Sequence, residues 1–142
     1  QFLDSYVEPD EIATEVNYAI AECGLASHLS GQCGRGGNIQ NKRYAYSCKV
    51  GWIDLQHVVS AYGLFGFTLG TVVEVLQAMA FDYHQSAFRK DDFISNYIGN
   101  AAFIMSGSSP GSDVESIINE YCPVMGKEDA EKEIKKPGTI CN

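Results

Sequence analysis

Apolar positions recur at helical spacing in several stretches of this chain and at strand spacing in one. Ile12, Val16, Ala19, Ile20 and Cys23 line one helical face. Pro9 suits the first position of that helix, acids crowd its first turn, and Gly24 suits its end. Tyr44, Tyr46, Cys48 and Val50 alternate with Arg43, Ala45, Ser47 and Lys49, which predicts a short strand or one arm of a hairpin. From Trp52 to Phe81 the pattern is helical but broken, predicting helices over roughly 53–62 and 69–81 with a bend at the glycines between them. A third long helix is predicted over roughly 91–105, with Phe93, Ile94, Tyr97, Ile98, Ala101, Ala102 and Met105 as its apolar stripe. Ser106 to Gly111 reads as a loop, and Ser112 with Glu115 as a capping box opening a helix to about Tyr121, with Val114, Ile117 and Ile118 inward.

Residues 30–42 hold Gly31, Gly34, Gly36 and Gly37 and little that is apolar, so they read as a loop. The tail from Pro123 mixes four lysines with four acids, and Cys122 and Cys141 at its two ends offer a disulfide that would pin it. The expected fold is mainly α: a single compact domain, residues 1–142, of about five helices with a small β-strand or hairpin element.

Composition narrows the class. With 45% apolar and 20% charged residues the chain is neither disordered nor fibrous. No apolar run is long enough to span a membrane as a helix. A net charge of −8 argues against generic or DNA-specific binding, yet the charge is uneven. Residues 1–22 carry six acids and no base, whereas residues 23–53 carry Arg35, Lys42, Arg43 and Lys49 and no acid. Such a segment can steer a polyanion to an acidic protein. The five cysteines form no Cys-x-x-Cys pair, which removes zinc-ribbon and thioredoxin readings. Two disulfides and one free thiol are expected, pairing open, and with the non-Met start they indicate a processed protein of an oxidising compartment.

Candidate chemistry falls in separate constellations. Asp54 and His57 stand at i and i+3, a spacing that lets a carboxylate orient an imidazole for acid–base work or metal ligation; a surface ion pair is the alternative. Glu74 sits in the apolar run Thr71–Leu76, beside Gln77 at i+3, and must face either a polar cavity or an exposed helix edge. Asp92, Asn96 and Asn100 form a polar line, joined by Asp91 and Ser95, that would hold a hydrated divalent ion or simply face solvent. Asp82 and His84 offer weaker ligands. The bases Arg35, Lys42, Arg43 and Lys49 would meet phosphates, with Tyr44 or Tyr46 stacking on a nucleobase, unless the tyrosines pack inward. Neither a P-loop nor the serine-hydrolase and zincin signatures occur.

The order Gly51-Trp52-Ile53-Asp54-Leu55-Gln56-His57, then Val73-Glu74-Val75-Leu76-Gln77, then Ser86-Ala87-Phe88 through Asp91-Asp92 to Ser95-Asn96, resembles small secreted fungal and bacterial toxin-type domains, among them the ribotoxin-like ribonucleases of mushrooms, the ageritin type. The resemblance covers about a third of the chain and leaves the cysteines and the acidic N-terminal helix unaccounted for. It implies a secreted ribonuclease dependent on a divalent metal (Mg or Zn) that cleaves ribosomal RNA and blocks translation. Its site would hold His57, Glu74, Asp91 and Asn96 as catalytic residues and Asp54, His57, Glu74, Asp91 and Asp92 around the metal. Two other readings stand beside it: a secreted glycoside or cell-wall hydrolase using Glu74 and an Asp, and a non-enzymatic secreted binding protein.

Overall fold

The computed structural model describes residues 2–23, 39, 41–62, 90–105 and 107–141, without the side chains of 90–93. A 3₁₀ turn, Phe2–Ser5, comes first, and Glu8 opens the next helical segment: its N–H donates to Glu11 Oε1 at 2.9 Å, one half of a capping box. A 3₁₀ turn, Pro9–Glu11, leads into α1, Ile12–Ala21. The predicted face is the buried one, with Ile12, Val16, Ala19 and Ile20 inside and Cys23 packed at the edge of the core. Gly24 and nearly all of the predicted 30–42 loop lie outside the described residues, as does the predicted 69–81 helix.

The predicted strand is one arm of an antiparallel hairpin. β1, Tyr44–Ser47, pairs with β2, Gly51–Asp54, in the register Tyr44↔Asp54, Ala45↔Ile53, Tyr46↔Trp52 and Ser47↔Gly51. Gly51 closes the turn with φ 82°, a conformation glycine adopts without a steric cost. Because side chains alternate across a strand, Ala45, Ser47 and Ile53 face the core, and Tyr44, Tyr46 and Trp52 share the opposite face. On the other edge of β1 lie two segments from opposite ends of the chain. Val7 N–H donates to the Tyr44 carbonyl and Arg43 N–H to the Ser5 carbonyl, both at 2.8 Å. Further along, β3, Val124–Met125, pairs antiparallel with Tyr46 and Ser47. Tyr6 binds the two together: its hydroxyl donates to the Met125 carbonyl and accepts the Tyr46 N–H at 3.0 Å. Burial pushes that phenol up to about 12, so it remains a donor across the working pH range.

β2 runs directly into α2, Leu55–Ala61, which packs on α3, Lys90–Met105. The apolar stripe predicted for α3 holds in part but is rotated. Ile98 and Ala102 are buried, and Ile94 and Ala101 pack against the core, but Ser95 and Gly99 join the buried line while Tyr97 and Met105 are about half exposed. The cause is Gly99. A Cβ there would collide with the Val58 carbonyl oxygen, so the glycine lets α2 lie close on α3 and turns that face inward. Asn100, read as part of a polar line that would hold a divalent ion or face solvent, is buried as well.

α4, Pro110–Tyr121, starts earlier than the capping-box reading predicts. Ser109 is the N-cap, its hydroxyl accepting Ser112 N–H at 3.1 Å, and Pro110 occupies the first helical position. Val114, Ile117 and Ile118 are buried as expected. Gly111 meets α1 so closely that a Cβ would strike the Ala13 carbonyl, and its N–H donates to Asn17 Oδ1 at 2.8 Å.

The predicted tail is folded. After β3 comes α5, Lys127–Lys135, whose first N–H donates to the Glu8 carboxylate. Glu133 accepts backbone N–H groups of Gly138, Ile140 and Cys141, which fold the last residues back on the helix and hold its carboxyl below the usual range. The predicted pinning disulfide has another partner: Cys141 bonds to Cys48 in the hairpin turn, while Cys122 is a free, buried thiol. Cys23 is disulfide-bonded too. The architecture is mainly α, with five α-helices among the described residues and a three-stranded antiparallel sheet of order β2-β1-β3. No described helix is long and apolar enough to cross a membrane.

Candidate active site

Asp54 is the last residue of β2 and the N-cap of α2, and both roles shape the site. As N-cap its Oδ1 accepts the Gln56 N–H at 3.0 Å. As the strand residue opposite Tyr44 it lies beside Arg43, which donates from Nε to Oδ1 and from one terminal nitrogen to Oδ2, each at 2.8 Å. One turn into α2, His57 Nδ1 lies 2.9 Å from Oδ2. The Asp54 backbone N–H donates to Ser95 Oγ at 2.8 Å, which ties this corner to α3.

The electrostatics follow from that packing. Asp54 is 2% exposed. Burial alone raises its pKa, but hydrogen bonds from Arg43 and His57, with their charges, hold the carboxyl down at about 2. A fixed anion beside Nδ1 selects the tautomer with the proton on Nδ1. The His57 side chain is 38% exposed and that of Arg43 29%. A half-exposed imidazole and a guanidinium thus share one buried carboxylate.

The expected i, i+3 pairing of Asp54 with His57 is present, with Asp54 serving as strand end and cap rather than as a residue inside the helix. As a metal ligand Asp54 fits poorly: each of its oxygens already accepts two hydrogen bonds, and a guanidinium stands beside it. Among the described residues no group of three or more His, Cys, Asp or Glu is placed to hold a metal ion. Arg35, Glu74, Gln77, Asp82 and His84, and the side chains of Asp91 and Asp92, lie outside the described residues. Asn96 is half-buried on α3, one residue beyond Ser95.

The basic segment is partly spoken for. Lys42 is paired with Glu11, Nζ lying 3.1 Å from both carboxylate oxygens. Arg43 is committed to Asp54. Phe2 stacks on the Tyr44 ring at 4.0 Å between centroids, and the Arg43 guanidinium lies 4.9 Å from that centroid, so Tyr44 is engaged by the protein rather than by a base. Tyr46 is half-buried and Lys49 is exposed. Trp52, not among the site residues expected from the sequence, stands at the centre of this face, with edge-type ring contacts to Phe2, Tyr6, Tyr44 and Tyr46 at 5.0 to 6.2 Å. Its signal in the sequence is the strand alternation that puts residues 52 and 54 on one side of β2.

No family model, no curated protein and no solved structure matches the chain.

Proposed function

We propose that this protein is a secreted, toxin-type ribonuclease that cleaves ribosomal RNA and so stops translation, with His57 as its proton-transferring residue. The observation that carries the reading is His57 held through Nδ1 by the buried Asp54, with Arg43 on the same carboxylate. Cleaving a phosphodiester requires proton transfer at the attacking or leaving oxygen and positive charge near the phosphate. His57 supplies the first and Arg43 the second. Asp54 acts on both by position: it orients the imidazole, stabilises the imidazolium once formed, and fixes the guanidinium beside it.

The resemblance to ribotoxin-like ribonucleases adds a divalent ion, which would lend charge to the phosphate. Asp54 is not available to it, and His57 is given to proton transfer, so its ligands would be Glu74, Asp91 and Asp92. Secretion is in keeping with the Cys48–Cys141 disulfide. The glycosidase reading rests on Glu74 and gains nothing from the described side chains.

Ribosomes incubated with the protein, with and without EDTA, test the proposal. A discrete RNA fragment that disappears with His57→Ala is the expected result. Its absence under every metal condition overturns the reading, and a fragment that persists in EDTA removes the ion from it.

A further inference from the structure

An open groove of about 600 Å³ lies at the far end of the aromatic face from Arg43. Tyr46, Lys49 and Trp52 of the hairpin form one wall, and Ile134 and Pro137 of the C-terminal segment form the other. The Cys48–Cys141 disulfide joins the two walls, so the groove's width is set covalently. Its volume is that of a small-molecule site. We propose that this groove is a subsite for one unpaired nucleoside of an RNA strand, its base stacked on Trp52 and its phosphates met by lysines. The inference rests on the ribonuclease reading for the identity of the polymer and extends it to a site with no catalytic residue.

Three observations carry it. Trp52 is held by edge contacts with the neighbouring rings, so a base stacking there orders a surface that is already fixed. The exposed charge in the lining suits a polyanion in a protein of net charge −8: Lys49 lines the groove and is exposed, and two further exposed lysines, Lys135 and Lys136, stand next in sequence to the lining residues Ile134 and Pro137. Glu133, the acid in the lining, has its carboxylate turned onto the backbone N–H groups of Gly138, Ile140 and Cys141. The register then relates the groove to the candidate active site. Trp52 and Asp54 lie two residues apart on the same face of β2, about 6–7 Å along the strand. A base in the groove therefore leaves the adjoining backbone within reach of Arg43 and His57.

Trp52 is the single tryptophan of the chain, so its fluorescence reads the groove directly. The intact protein is titrated with a short single-stranded RNA and, separately, with an uncharged chito-oligosaccharide. RNA should give a saturable change, with affinity falling about sevenfold from about 50 to about 200 mM salt, as expected for two neutralised phosphates. Lys49→Ala should weaken binding about threefold, and Ile134→Glu, which puts an acid on the rim, about tenfold or more. Both positions are at the surface, and circular dichroism checks that each variant is folded. No saturable change with RNA, an equal salt-independent change with the saccharide, or folded variants that bind as the parent does would each overturn the inference. The two proposals fail separately. RNA held in the groove while ribosomes stay intact sinks the ribonuclease reading alone, and fragment release undiminished in both variants sinks the subsite alone.

Discussion

Arg43, one residue before the Tyr44↔Asp54 pair that ends the hairpin ladder, grips Asp54 with its guanidinium, which takes both carboxylate oxygens at 2.8 Å. The pair joins the sheet to α2, because the same carboxylate caps that helix. Its effect on stability has a definite sign. The Asp54 carboxyl falls from an ordinary 3.8 to about 2 in the folded protein, so the folded state favours the ionised form. That contribution is complete above about pH 4 and is lost as pH falls toward about 2, and its size is about 2 kcal/mol. Urea unfolding at pH 6 and pH 2.5 should show the loss. In Asp54→Asn the acid-dependent part should shrink, and stability at pH 6 should fall by about 2–3 kcal/mol because Arg43 loses its partner.

His57 is expected to contribute little to stability. Its side chain is over a third exposed and touches Asp54 at one nitrogen. His57→Gln should therefore change the unfolding free energy by less than about 1 kcal/mol. On the proposed reading it lowers ribosomal RNA cleavage by a factor of about 100 or more. The two measurements on one variant separate a catalytic role from a scaffolding one.

Gly99 is expected to tolerate no side chain. A methyl group there meets the Val58 carbonyl oxygen and comes within 2.9 Å of Ala61 Cβ, so α2 and α3 would have to part. Gly99→Ala should lower stability by about 2–3 kcal/mol, even though alanine is the better helix former by about 1 kcal/mol. Thermal unfolding followed by circular dichroism reads the difference. A variant as stable as the parent would mean that the close approach of these helices is not needed.

The Cys48–Cys141 bond closes a loop with a sequence separation of 93. Chain-entropy arguments place its contribution at about 4.6 kcal/mol. A Cys48→Ser, Cys141→Ser double variant should lose about that much, and its C-terminal segment should become open to protease before the rest of the chain unfolds. Limited proteolysis with mass spectrometry identifies the first cut.

Reading the sequence works best where one face of an element alone decides its fate. The spacing of Ile12, Val16, Ala19 and Ile20 is enough for α1, and alternation is enough for β1. It fails where the deciding partner is distant. β3 is two residues long and exists only through its pairing with Tyr46 and Ser47. α5 buries just Ala130 and Glu133, so it has no apolar stripe to detect. In α3 a glycine, which carries no weight in a periodicity argument, decides which face turns inward. The candidate site divides in the same way. Asp54 and His57 are neighbours on one short stretch and could be read as a pair, whereas the grip of Arg43 on Asp54 depends on hairpin register.

Strand β1 has its second neighbour only because residues 5–7 and residues 124–125 lie end to end along one edge, joined through Tyr6. A nascent chain therefore holds a half-finished sheet until Met125 has left the ribosome, and the Glu8 carboxylate receives the first N–H of α5 only when Lys127 follows. Contacts across so much sequence are slow to form. The sheet is thus expected to close only after residues 124–125 have joined β1, and the fold around it to be locked when Cys141 finds Cys48.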